Sequence, residues 1–203
     1  IGGEPLLGRQ LTLLERHGFT DALLLVGHGA EQIEAFCAGR TGGRLQLSCL
    51  RDGNPRGTAG AVLAASERLA DRFLVVYADT MLEVDLQRFE HWHERSGADA
   101  SLFLHPNDHP YDSDLVAVDD SGRITAFHPK PHDPAVDRRN LVSAALYWVE
   151  RAALARWADQ PAPLDFGKDL FPRMVAGGAR LMGYVSPEYI KDAGTPDRLD
   201  RVR

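Results

Sequence analysis

The sequence predicts an α/β fold, a layered sheet with helices packed on its faces, and three observations lead there. Between Pro5 and Leu50 amphipathic helices alternate with short apolar strands. Phe73 to Ala78 is an apolar run of strand length that breaks off at a single acidic residue, Asp79. A turn-rich loop, Asp52 to Ala61, leads with small residues into another helix. A short apolar run bounded by polar residues reads as a buried strand, and in open α/β sheets ligands bind beyond the carboxyl ends of the strands. Asp79 therefore stands where a carboxylate can hold a divalent cation against a phosphate. The competing reading is that it caps the next turn.

In chain order, Leu6, Leu7, Leu11, Leu13 and Leu14 recur at helical spacing between Pro5 and His17, and Gly18 ends that helix. Ala22–Val26 reads as a strand, Gly27-His28-Gly29 as a turn, and Ala30–Cys37 as a helix with Ile33 and Phe36 inward. Leu45–Leu50 alternates as a strand. In the loop that follows, Thr58 suits the N-cap of a helix over 61–69, and Gly57 and Gly60 with Ala59 and Ala61 leave room for a planar base or a sugar beside the backbone. The helix start would add N–H donors and a positive dipole end; a capped surface helix accounts for the same residues.

Leu86–Arg95 predicts an amphipathic helix with Phe89 and Trp92 inward. His91 and His93 lie two apart on it, point in different directions, and are expected to be exposed rather than metal ligands. Ala98–Leu104 reads as a strand, and the polar stretch His105–Asp114 as a loop bordering a site rather than a metal cluster. Leu115–Val118 and Arg123–His128 read as a hairpin. In the stiff Pro129-Lys130-Pro131, Lys130 is either solvated or aimed at a phosphate. Asn140–Val149 is a strand whose small residues, Ser143, Ala144 and Ala145, leave room for a packed helix or a ligand. Helices over 151–157 and 166–175 and a strand over 180–185 follow. Asp192 then precedes a tight turn, and Thr195-Pro196 begins a last helix.

The 203 residues suit one domain, and a formal net charge of −6 weighs against a nucleic-acid partner. No apolar stretch approaches the ~20 residues of a membrane span. Cys37 and Cys49 have no metal spacing and read as reduced thiols, so a cytoplasmic protein is expected. The chain opens at Ile1 without Met and reads as a piece of a longer protein.

Together these segments resemble the sugar-phosphate nucleotidylyltransferases, along essentially the whole chain. Gly2-Gly3-Glu4-Pro5-Leu6-Leu7 resembles the family's G-G-K-P-L-L, with Glu4 in place of Lys. Pro55-Arg56-Gly57-Thr58-Ala59-Gly60-Ala61 is similar to its P-x-G-T-A-G-A loop, and Val76-Tyr77-Ala78-Asp79 to its x-x-G-D strand end. Phe127–Pro131 resembles F-x-E-K-P, Asn140–Tyr147 resembles N-x-x-N-A-G-I-Y, and Asp192-Ala193-Gly194-Thr195-Pro196 resembles D-I-G-T-P. The resemblance implies a Rossmann-like layered α/β/α fold with a mixed, mostly parallel central sheet. It implies transfer of a nucleotidyl group from an NTP to a sugar 1-phosphate, with release of pyrophosphate. Asp79 and Asp192 would be the catalytic, Mg²⁺-binding pair; Gly57, Thr58, Ala59, Gly60 and Tyr77 would contact the nucleotide; Asp114, Lys130, Asn140, Ser143 and Ala144 would contact the sugar phosphate.

Several departures fall on the sugar side. Pro129 stands where the family has a sugar-contacting Glu, Ser143 and Ala145 where it has Asn and Gly, and Asp114-Leu115-Val116 replaces Y-G-V. The pattern looks most like the heptose 1-phosphate or mannose 1-phosphate guanylyltransferase branch, which makes nucleotide-sugars of the kind used for lipopolysaccharide or capsule. That branch implies GTP as donor, a homo-oligomer as one possible assembly, and in some relatives a phosphatase domain fused downstream. The family's G-G-x-G-T-R-L loop is absent from these residues, with its following P-K-P. It is expected upstream with the first strand, and the chain alone is expected to be inactive or nearly so. Two other readings compete: a glycosyltransferase of similar layered fold, disfavoured because Ala78-Asp79-Thr80 is no D-x-D, and a non-catalytic nucleotide-sugar-binding relative.

Overall fold

The computed structural model describes residues 3–107, 110–133 and 135–201. The expectation for the polar loop 105–114 falls partly outside them, at residues 108 and 109.

The leucine pattern near the start forms helix α1 (Leu6–Arg16), followed by β1 (Asp21–Val26), α2 (Ala30–Gly39) and β2 (Gln46–Arg51). Helix α3 (Gly57–Ala64) and a 3₁₀ turn at Ser66–Arg68 lead to β3 (Arg72–Val76) and β4 (Thr80–Glu83). Then come α4 (Leu86–Ser96), β5 (Ala100–His105), β6 (Leu115–Val118), β7 (Ile124–His128) and β8 (Val142–Glu150). A short helix α5 (Arg151–Leu154) and a π-helical turn (Phe166–Leu170) running into α6 (Phe171–Ala176) precede β9 (Leu181–Val185), β10 (Tyr189–Asp192) and α7 (Pro196–Arg201).

The main sheet has the order β7-β6-β8-β5-β9, with β3 also on β8. Strand β8 is nine residues long. One of its edges pairs with β5; the other is shared between β6, at Val142, and β3, along residues 146–150. Helices cover both faces. Ala59 and Val62 of α3, with Phe166 and the α6 residues Phe171 and Met174, pack on one face around Tyr147 and Val149. Leu13 of α1 and Leu86 and Phe89 of α4 pack on the other around Leu146 and Trp148. Residues alternate along β8 between the two cores, as the period of a strand requires.

The layered α/β arrangement is therefore as the sequence predicts, but the pairing is not mostly parallel. Among the described residues β1–β2 and β5–β9 are parallel, whereas β3–β8, β5–β8, β6–β7, β6–β8 and β4–β10 are antiparallel. The cause is β8, which runs antiparallel between β3 and β5 and so reverses the pairing on both of its edges. The described residues contain no helix long and apolar enough to cross a membrane.

Two strands that the sequence pattern did not announce matter most. Each of β4 and β10 has four residues, and they pair antiparallel with Asp192 opposite Thr80. The β8 ladder also carries an irregularity. Its register with β5 shifts between Leu102 and Leu104, and Ala145 opposite the shift takes φ 55°, in the left-handed region that favours glycine.

Candidate active site

Asp79 follows β3 in a turn closed by the Thr80 N–H, which donates to the Tyr77 carbonyl at 3.1 Å. Strand β4 leaves this turn and pairs with β10, so the end of β10 is brought back beside it; the Ala193 N–H donates to the Asp79 carbonyl at 2.7 Å. The two acids meet at Gly194. A Cβ built on that glycine would lie 2.8 Å from Oδ2 of Asp79 and 3.1 Å from Oδ1 of Asp192, so a bare backbone is what lets the carboxylates converge. The Gly194 N–H donates to Asp192 Oδ1 at 2.6 Å, and Arg198 of α7 pairs with Asp192 Oδ2. Burial, and then the Asp192 charge, hold the Asp79 carboxyl above the usual carboxylate range, with Arg198 working in the opposite direction.

Two carboxylates converging on one backbone position fit a divalent cation. Two protein carboxylates are what Mg²⁺ takes when water and phosphate oxygens complete its shell. No group of three or more His, Cys, Asp or Glu among the described residues could hold a metal unaided, so phosphate and water would supply the remaining ligands here.

The turn that carries Asp79 is held from behind. Gln10, 6% exposed on α1, donates through Nε2 to the carbonyls of Tyr77 at 2.8 Å and Thr80 at 2.7 Å, using both amide hydrogens. Sequence reading passed over Gln10; its signal was one polar residue on the inward, Leu-rich face of a helix. It passed over Arg198 as well.

The small-residue loop differs from expectation. Helix α3 begins at Gly57, its N-cap is Arg56, and Thr58 lies inside the first turn. Ala59 and Gly60 N–H groups donate to the Leu164 carbonyl at 2.9 and 3.1 Å, and Leu164 N–H donates back to Arg56 O at 2.8 Å. A Cβ on Gly57, whose φ is +75°, would lie 2.5 Å from the Leu164 carbonyl oxygen. The expected free N–H donors are thus partly used within the chain, and the missing bulk at residues 57–60 first accommodates Leu164. Thr58 donates to Asp165 Oδ2 at 2.7 Å and accepts from the Phe166 N–H at 3.0 Å. Tyr77 stands beside it, its ring edge-on to Tyr147 at 5.9 Å between centroids. Burial pushes the Tyr77 phenol up and that of Tyr147 up to about 12, so both stay neutral.

On the sugar side, Asp114 Oδ1 accepts from the Lys130 N–H at 3.0 Å, which ties the β7 exit to the start of β6, and the Lys130 side chain is exposed. Asn140 uses its amide on Asn107, accepting from its N–H at 3.2 Å and donating to its carbonyl at 2.7 Å. Ser143 donates to the Tyr147 hydroxyl at 3.4 Å. Ala144, 8% exposed, packs in the core with Leu146 and Trp148, so its methyl is a packing contact rather than a ligand surface. Another expectation is corrected nearby: His93 is buried, not exposed. Nδ1 is 2.7 Å from Ser101 Oγ on β5 and Nε2 3.2 Å from Glu150 Oε1 on β8, partners that satisfy it in the core.

The chain is similar in sequence and in fold to known proteins. The chain resembles mannose-1-phosphate guanylyltransferase of Mycobacterium tuberculosis, 27% identical over 201 residues that cover 98% of this chain and 55% of the relative. It resembles valienol-1-phosphate guanylyltransferase of Streptomyces hygroscopicus subsp. limoneus at 33% identity, over 72% of this chain and 42% of that one. The chain spans about half the length of the curated relatives it matches. Among solved structures, HddC from Yersinia pseudotuberculosis superposes with a TM-score of 0.82 at 20% identity, covering 99% of this chain and 85% of HddC. HddC complexed with GMP-PN gives a TM-score of 0.81 at 19% identity, covering 100% of this chain and 88% of that one. The sequence model of the nucleotidyl transferase family matches residues 1–202, and the chain belongs to that family.

Proposed function

We propose that the protein transfers a guanylyl group from GTP to a sugar 1-phosphate of the mannose or heptose type. The observation that carries the reading is the convergence of Asp79 and Asp192 on Gly194 at the ends of β3 and β10. A pair of carboxylates suits phosphoryl chemistry, which needs positioning and charge neutralisation rather than a protein nucleophile. In the proposed reaction an oxygen of the sugar phosphate attacks the α-phosphorus, the bond between the α- and β-phosphates breaks, and pyrophosphate leaves.

Mg²⁺ held by Asp79 and Asp192 would neutralise charge between the two anionic substrates. The chain's own residues do the rest. Gln10 fixes the turn that presents Asp79, the β4–β10 ladder sets the spacing of the acids, and Arg198 offsets their charge. Guanine as the base and a mannose-like sugar are supported by the names of the relatives and by GMP-PN in the HddC complex. We also propose that the longer protein supplies the triphosphate-gripping loop upstream.

The test is pyrophosphate release by the full-length protein with Mg²⁺, each of the four NTPs, and mannose, heptose or glucose 1-phosphate, with Asp79→Asn as control. Release with one NTP–sugar pair, lost in the variant, is the expected result. Binding of nucleotide-sugars with no release from any pair would overturn it in favour of a non-catalytic relative.

A further inference from the structure

The loop that opens α3 is clamped by a segment remote in sequence, and the clamp ends in one carboxylate. Asp165 Oδ1 accepts from the N–H groups of Gly167 and Lys168 at 2.9 and 3.0 Å, which fixes the carboxylate on the start of the π-helical turn. Its other oxygen accepts the Thr58 hydroxyl at 2.7 Å, across 107 positions of sequence. Thr58 Oγ1 in turn accepts the Phe166 N–H at 3.0 Å. Thr58 has one proton to give, and Asp165 takes it, while the same hydroxyl oxygen takes the Phe166 N–H. The Thr58 side chain is thus held from both sides by the 165–166 segment. On β8, Tyr147 accepts from Ser143 at 3.4 Å.

We infer that Asp165 is a positioning residue of the nucleotide subsite: by accepting the Thr58 hydroxyl it sets the register of residues 57–60. This rests on the transferase reading above. A carboxylate is needed because both of its oxygens accept, one from the Thr58 hydroxyl and the other from two backbone N–H groups. In Asp165→Asn one side-chain atom becomes a donor. Either the Thr58 hydroxyl then meets an N–H or the N–H groups of Gly167 and Lys168 do, and the loop must shift. Packing is otherwise kept, since Asn has the shape of Asp.

The experiment is steady-state kinetics of the full-length protein with Mg²⁺ and GTP against the sugar 1-phosphate it uses, alongside GTP binding by calorimetry and melting temperature. Loss of one charge-assisted hydrogen bond in Asp165→Asn should raise KM and Kd for GTP about tenfold, while KM for the sugar phosphate and kcat change less than about threefold. Thr58→Val, which keeps the shape and loses the hydroxyl, should reproduce Asp165→Asn, and Thr58→Ser, which keeps the hydroxyl, should raise the KM for GTP less than Thr58→Val does. Tyr147→Phe removes a hydroxyl bonded to Ser143 and not to Asp165, and should leave GTP binding within about twofold. Unchanged GTP binding in Asp165→Asn, beside an active wild type, would overturn the inference. So would an equal fall in every parameter with a lowered melting temperature in Asp165→Asn and Thr58→Val, because that marks a fold effect. A wild type that binds no nucleotide overturns the transferase reading and this inference with it.

Discussion

Gln10 makes a strong prediction because its side chain has one job and no alternative partner in reach of solvent. It is 6% exposed, and its amide donates to two carbonyls of the turn that carries Asp79. Gln10→Met keeps length and apolar packing but removes both donors. Tyr77 O retains the Thr80 N–H; what is lost is two hydrogen bonds of about 1 kcal/mol each, with a further penalty where a buried carbonyl is left short of a donor. The expected loss is about 2–3 kcal/mol, which for a chain of this size lowers the melting temperature by roughly 5–10 °C. Gln10→Glu is isosteric yet should be worse near neutral pH, because it points acceptors at two carbonyls and adds a buried charge close to Asp79. Such a carboxyl has its folded pKa raised above its unfolded value. Its cost is therefore full at neutral pH and shrinks as pH falls toward that raised pKa, where a protonated carboxyl regains one donor. Urea unfolding of both variants and wild type at about pH 7.5 and 5.5 checks this through the variant-minus-wild-type difference. A Gln10→Glu protein as stable as wild type at the higher pH, or a Gln10→Met protein that loses nothing, would refute the assignment of Gln10 as the prop of the Asp79 turn.

Other predictions follow from the same geometry. Gly194→Ala places a methyl 2.8 Å from Asp79 Oδ2 and 3.1 Å from Asp192 Oδ1. With the pair holding Mg²⁺ as proposed, added Mg²⁺ should raise the melting temperature of the wild type and not that of Gly194→Ala, while the circular dichroism spectra stay alike. Because Asp79 has a raised pKa, its ionisation opposes folding at neutral pH, and the penalty is relieved as pH falls through that pKa. In thermal melts without divalent cation, Asp79→Asn should thus melt above wild type at neutral pH, with the gap closing in acid. Ala145→Gly removes a left-handed alanine and should stabilise the protein by about 0.5–1 kcal/mol in urea unfolding, the strain relieved exceeding the entropy added to the unfolded chain. Burial lowers the His93 pKa, so the unfolded chain binds a proton that the folded one refuses; stability should fall as pH drops through the ordinary histidine range near 6.5, and His93→Gln should flatten that slope in pH-dependent unfolding.

What could be read from the sequence divides by range. Strand β3 and the place of Asp79 beyond it were legible because an apolar run of five or six residues is a local signal. The convergence of Asp192 on Asp79 was not legible from pattern alone, since it depends on two four-residue strands with no periodicity to speak of. It came only through the resemblance of residues 192–196 to a family segment. His93 was read as exposed because its helix shows a polar residue there; Ser101 and Glu150, which satisfy it, come from β5 and β8. Thr58 was read as a cap because capping is a local rule, and its acceptor is 107 residues away.

Glycine gives the sharpest case, because one letter conceals two different physical needs. At Gly57 an added Cβ strikes the backbone carbonyl of Leu164 at 2.5 Å, with φ already at +75°, so what the missing side chain accommodates there is the chain itself. At Gly194 the added Cβ meets two carboxylate side chains and no φ in the left-handed region opposes it. The same substitution to alanine therefore separates two failures. At 57 it strains the fold whether or not a nucleotide is bound, because backbone cannot step aside cheaply. At 194 the fold survives and the site is lost, because carboxylates can turn away but then no longer face one another. Smallness in a sequence marks a close approach, and only the identity of the approaching atom, backbone oxygen or side-chain carboxylate, says whether the residue answers to the chain's own packing or to the site.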